Sequence, residues 1–173
     1  MTKLLDIISV PDPLLKTVSQ EVGRVDDELR RLMDGMAETM YQAPGIGLAA
    51  VQVGVPQRLL VMDTEGGDEE RTPQFFINPK RIWASDERSV YNEGCLSVPE
   101  HYAEVERPAE VRVAYLDYAG NQQETLFTGL DATCLQHEMD HLDGIVFIDY
   151  LSKLKRGMII KKVAKATKDT KIL

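Results

Sequence analysis

The 173-residue sequence predicts an α+β fold: antiparallel strands packed around one central helix, with an N-terminal helix and a basic C-terminal helix. Three observations carry this. Leu29, Leu32, Met33, Met36 and Met40 recur at helical spacing behind Asp26 or Asp27, either of which can cap a helix. Val111, Val113 and Tyr115 alternate as a half-buried strand does. His137 and His141 stand four apart in a segment that stops at Gly144, whose missing Cβ suits a left-handed cap.

The elements follow in order. After the Met-rich helix comes a glycine loop, Gly45-Ile46-Gly47-Leu48-Ala49-Ala50-Val51-Gln52. Arg58 to Asp63 and Gln74 to Ile77 read as short strands, separated by the polar, glycine-containing loop Glu65 to Arg71. Glu93-Gly94-Cys95-Leu96-Ser97-Val98-Pro99 is short and extended, with Pro99 expected to end any regular pairing. A turn at Ala119-Gly120-Asn121 makes a hairpin of the strand at 111–115 and Gln122 to Phe127. The central helix begins near Thr128 or Gly129.

Its sequence, His137-Glu138-Met139-Asp140-His141, carries the chemistry. Residues i and i+4 project from one helix face, so both imidazoles can reach one ion, and Glu138 can accept a proton from a water activated there. The central helix is therefore expected to be a metal-binding helix. A hydrolytic metal takes three protein ligands and keeps a position for water. No Glu follows Glu138, which excludes the pattern with a downstream Glu ligand. The pattern H-E-x-x-H-x-x-G-x-x-H fits as far as Gly144, but Phe147 replaces its last His and cannot bind metal. His101, Cys95 and Cys134 remain. An ion shared by His137 and His141 sits near the level of residue 139, about 7 Å along the axis from Cys134, whereas a thiolate bond is about 2.3 Å. Cys134 is read as helix packing. Cys95 can present a thiolate from outside the helix, although an extended segment can equally bury a cysteine without using it.

The glycine loop also spells G-x-G-x-x-A, but a dinucleotide loop must follow a strand and open a helix; here the order is helix, then loop. Its other use is to bring bare backbone beside a substrate and to place the Gln52 amide as a hydrogen-bond donor. Together, GIGLAAVQ at 45–52, EGCLS at 93–97 and QHEMDH at 136–141 closely resemble the three motifs of the peptide deformylase family, in the same order and at similar spacing. The resemblance covers essentially the whole chain, including the opening Val10-Pro11-Asp12-Pro13.

The resemblance implies removal of the formyl group from the N-terminal formylmethionine of newly made polypeptides, with Cys95, His137 and His141 as metal ligands. It implies one divalent ion, iron(II) in the native enzyme, with zinc, nickel or cobalt able to occupy the site. The Gln52 side-chain amide and the Leu96 backbone N–H are the implied oxyanion donors, with Glu138 as acid–base group. Ile46, Gly47, Leu130, Thr133 and His137 would surround the methionine side chain. Thr133 is more polar than the residue expected there, and Tyr102 stands where some members carry an arginine that contacts the peptide. His101 is then a surface or packing residue.

Composition fits this reading. With 43% hydrophobic residues, the chain suits one catalytic domain over 1–173, ending in a basic segment at 153–173. No apolar run is long enough to span a membrane, no leader is evident, and two cysteines with one assigned to metal leave no disulfide. A cytoplasmic monomer is expected. Residues 153–173 hold eight Lys or Arg against Asp169, a net of +7; subtracting that from the chain's −8 leaves −15 on residues 1–152. Such asymmetry suits a tail that meets a polyanion, and the deformylase resemblance points to ribosomal RNA. A zinc peptidase using the same helix lacks its usual third ligand. A structural metal module would need a fourth ligand and leave Glu138 without a role.

Overall fold

The computed structural model describes residues 2–65 and 70–172, with side chains through Thr167. Residues 66–69 of the polar loop, Leu173, and the side chains of Lys168, Asp169 and Lys171 lie outside the described residues. Helix α1 (Asp27–Gln42) leads into β1 (Gly47–Ala49), a 3₁₀ turn at Ala50–Val53, β2 (Leu59–Met62) and β3 (Gln74–Ala84). A hairpin of β4 (Arg88–Cys95) and β5 (Val98–Pro108) follows, then β6 (Glu110–Leu116), β7 (Gln122–Thr128), α2 (Gly129–Leu142) and α3 (Lys153–Ile172). All named pairings are antiparallel: a five-stranded sheet in the order β1-β2-β3-β6-β7, and the separate β4-β5 pair. This is the expected α+β architecture.

The sheet is covered on both faces, which explains why Leu59-Leu60-Val61-Met62 is apolar throughout. Leu59 and Val61 pack with Met33, Met36 and Met40 of α1. Leu60 and Met62 turn to the other side, where Phe76, Val111, Val113 and Phe127 meet Ala132, Leu135 and Leu142 of α2. A third cluster, under the hairpin, joins Val98 and Val105 to Phe147, Ile148 and Val163 of α3. The Asp26 side chain accepts from Leu29 N at 2.9 Å and so caps α1, as one of the two expected residues.

Two expectations need correction. Strand β3 runs to Ala84 rather than ending at Ile77, because it goes on pairing with β6 as far as Ala84↔Val111, past irregularities between Ile77 and Lys80 and again before Trp83. Pro79 falls in the first of these, where no ladder N–H is required, beside Asn78 at φ 52°. Pro99 does not end pairing either. It lies within β5, in the register shift between the pairs Cys95↔Val98 and Gly94↔Tyr102, so the proline occupies an irregular step and the ladder resumes behind it.

Helix α2 ends where expected. Gly144 adopts φ 75°, its N–H reaches His141 O, and Ile145 N returns to Asp140 O. Arg58 donates to Leu142 O at 3.0 Å and pairs with Asp143 at 3.0 Å, tying the helix end to β2.

Candidate active site

Helix α2 buries an unusual set of polar side chains: Thr133, Gln136, His137, Glu138 and His141 are all under 9% exposed. Burying such groups costs stability unless they are satisfied by partners or kept for a task. The Cys95 Sγ and one ring nitrogen from each of His137 and His141 lie within 4.8 Å of one another, and no other such cluster occurs among the described residues. Cys95 arrives from the end of β4, outside the helix, while Cys134 and His101 stand apart from the cluster.

The donor set fits a divalent ion. Bond lengths of about 2.3 Å to thiolate and about 2.0–2.1 Å to imidazole, at a tetrahedral angle, put sulfur and nitrogen about 3.6 Å apart. Cys95 Sγ is 3.4 Å from His141 Nε2. The other nitrogen of His137, Nδ1, is engaged by Glu93 Oε1 at 2.9 Å, which fixes the ring and turns Nε2 toward the cluster. His141 is fully buried, and its Nδ1 has no hydrogen-bond partner among the described residues.

Glu138 Oε1 is 3.6 Å from His137 Nε2, and Oε2 has no hydrogen-bond partner among the described residues. Burial, aided by Glu93 and Asp140 and opposed by His137 and Arg107, pushes its carboxyl up to about 7. Burial holds His141 well below the usual imidazole value, with His137 and Arg107 adding to the effect. Burial also lowers His137, but Cys95, Glu93 and Glu138 together outweigh it and raise that ring. Cys134 is kept a thiol by burial and by Glu138.

A cavity of about 840 Å³ opens onto this cluster, and Ile46, Gly47, Leu96, Leu130, Thr133, His137 and Glu138 all line it. Gly47 is required by contact: a Cβ there would sit 2.9 Å from both Cys134 Sγ and Glu138 Cγ. The bare backbone of the first motif thus lies directly against α2. His101 and Tyr102 line the same cavity, and the Tyr102 ring covers Gly94, its cross-strand neighbour. Gln52 stands behind the lining. Its Oε1 accepts from Ala49 N at 2.9 Å, and its Nε2 donates to Ser97 Oγ at 3.0 Å and faces Cys95 Sγ at 3.6 Å.

Sequence reasoning gave no role to Glu93, Ser97, Arg107 or Asp140. Glu93 had a signal, since it precedes Cys95 by two residues and in a strand therefore shares its face. Arg107 had none.

A helix bearing H-E-x-x-H, joined by a cysteine from a separate hairpin beneath an apolar cavity, defines a class of hydrolase within the α+β folds. The sequence profile described as Polypeptide deformylase matches residues 4–157, and the chain belongs to this family of enzymes. It is 61% identical over 163 residues to the peptide deformylase of Phenylobacterium zucineum, covering 94% of this chain and 96% of that one. Identity to the Rhizobium meliloti peptide deformylase is 59% over 162 residues, covering 94% and 93%. The crystal structure of peptide deformylase from Ehrlichia chaffeensis superposes with a TM-score of 0.90 at 45% identity, over 95% of this chain and 97% of that chain. The same enzyme in complex with actinonin gives 0.89 at 48% identity, over 95% and 98%.

Proposed function

We propose that this chain is a metal-dependent hydrolase that removes the N-formyl group from the N-terminal formylmethionine of newly synthesised polypeptides and releases formate. The observation that carries this reading is the convergence of Cys95, His137 and His141 beside Glu138 on a cavity lined by apolar groups, in a chain of the deformylase family. These three side chains would hold one divalent ion: iron(II), with zinc, nickel or cobalt as alternatives that a thiolate and two imidazoles also accept. When bound, the ion would supply Lewis acidity, making a water more acidic and polarising a carbonyl so that its carbon is more electrophilic.

The rest is the work of the chain's own groups. Glu138 takes the proton of the attacking water and returns it to the departing amine, so that water and formamide become formate and a free N-terminus. Its burial suits the role, because a carboxyl shielded from bulk water beside the site can accept the proton and give it back. Gln52, held at both ends of its amide by Ala49 and Ser97, and the Leu96 N–H stabilise the oxyanion. Ile46, Gly47, Leu130 and Thr133 hold the methionine side chain, and exclude water from it.

Residues 1–173 act as one catalytic domain, a cytoplasmic monomer, and the basic segment 153–173 contacts ribosomal RNA. In support, no helix among the described residues is long and apolar enough to cross a membrane, and the α3 lysines through Lys165 are exposed. The test is formate release from a formyl-methionyl peptide together with metal content. One ion per chain and formate production are expected; cleavage of internal amides without formate release would overturn the reading.

A further inference from the structure

Arg107 lies on β5, far in sequence from all three motifs, yet its side chain is only 6% exposed. Its guanidinium donates twice to one carboxylate, Nε to Glu93 Oε2 at 2.7 Å and Nη2 to Glu93 Oε1 at 2.9 Å. The third nitrogen, Nη1, donates to Asp140 Oδ2 at 2.8 Å. Glu93 is on β4, two residues before Cys95, and Asp140 is on α2, between His137 and His141. One planar fork therefore ties the strand that carries the cysteine to the helix that carries both histidines. Glu93 Oε1, which the fork holds, is the same atom that engages His137 Nδ1. On the other side, the Tyr150 hydroxyl donates to Asp140 Oδ2 at 2.6 Å, and its ring lies 5.2 Å from the guanidinium carbon.

Stability alone is a poor explanation for this arrangement. A buried ion pair often contributes no more than well-packed apolar groups would, because both charges must leave water. The hairpin does not need it for pairing: the cross-strand partner of Arg107 is Ser89, and Glu93 pairs with Ala103. What the fork adds is a tie between elements, and only a guanidinium has the fixed, planar set of donors to satisfy two carboxylates at once. We propose that Arg107 is the positioning residue of the Cys95–His137–His141 site, holding hairpin and helix at their mutual spacing and orienting His137 through Glu93. The proposal rests on the reading of those three residues as metal ligands.

The test compares Arg107→Met and Arg107→Lys with the wild-type chain after loading with cobalt(II), reading chelator-driven metal loss and the thiolate-to-cobalt absorption. Losing a partner of a ligating histidine typically costs about 10- to 100-fold in metal affinity. That loss and an altered cobalt spectrum are expected for Arg107→Met, with Arg107→Lys close behind because a point charge cannot replace the fork. Asp140→Asn, which keeps its volume and weakens the tie from Arg107 to α2 together with the Tyr150 hydrogen bond to the same oxygen, is expected to shift metal retention the same way, and carries the comparison if Arg107→Met does not fold. Folded variants with wild-type retention and spectrum would overturn the proposal while leaving the ligand assignment intact. A wild-type chain that shows no cobalt–thiolate absorption would overturn the ligand assignment itself, and the proposal with it.

Discussion

Glu138 combines three features that rarely occur together in a carboxylate kept only for structure: it is 2% exposed, one of its oxygens has no partner among the described residues, and burial raises it to about 7. A buried, under-bonded carboxyl is costly, and proton transfer is the role that the proposed chemistry gives it. Glu138→Gln is therefore expected to keep its metal and lose at least about 10²-fold in turnover. Metal analysis beside the formate assay separates the two effects, and loss of metal in proportion to activity would assign Glu138 to the structure of the site. The cysteines give a second contrast at this scale. Cys95→Ser is expected to weaken metal binding and remove most activity, because a serine hydroxyl is a poor substitute for a thiolate. Cys134→Ser should leave metal content near wild type, since Cys134 is a buried thiol outside the cluster that bonds only weakly to Ile46 O at 3.7 Å. The reverse order would show that the wrong cysteine had been chosen.

At the scale of elements, Gly144 controls where α2 stops and how it sits on the chain before α1. Its φ is 75°, and an added Cβ would lie 2.6 Å from Lys16 O, a backbone atom that cannot swing aside. Gly144→Ala is expected to cost about 2 kcal/mol or more, combining the left-handed penalty with that contact, read as a lowered urea midpoint. An unchanged midpoint would mean that the helix end shifts freely. This cap was legible in the sequence, as were α1 and the β6–β7 hairpin, because local chemistry dictates each of them: an Asp cap, a turn glycine, a clean period. The β4–β5 hairpin was not. Its two-residue connection, Leu96-Ser97, lacks the usual Asn-Gly type of signal, its strands are rich in charge, and many of its residues are exposed on a sheet of only two strands. Its irregular step at Pro99 hid the pairing further. Cys95, His137 and His141 lie in motifs that the sequence displays, whereas the tie from Arg107 to Glu93 and Asp140 depends on how hairpin and helix pack, which no local pattern records.

For the whole molecule, the uneven charge is the dominant feature: +7 on residues 153–173 against −15 on the rest. Helix α3 separates two tasks. Its inner side contributes Val163, with Ile159 and Ile160 partly buried, to the cluster beneath the hairpin, while Lys161, Lys162 and Lys165 are exposed. Removing everything after Leu151 would therefore uncover part of the core as well as delete charge, which makes truncation an ambiguous test. Charge reversal is cleaner. The family match ends at residue 157, before these three lysines, so the proposed contact with ribosomal RNA rests on charge and exposure more than on kinship. Each phosphate neutralised by a lysine releases about one counterion, so binding through this helix should weaken steeply as salt rises. The triple change of Lys161, Lys162 and Lys165 to Glu is expected to lower ribosome affinity and flatten its salt dependence by roughly three phosphate contacts, while formate release from a short free peptide stays near wild type. Co-sedimentation across a salt series checks the first part and the peptide assay the second. A folded triple variant that binds ribosomes as tightly as wild type would leave these lysines with solubility as their task, since an acidic body with a basic helix would then meet its substrate without an electrostatic guide.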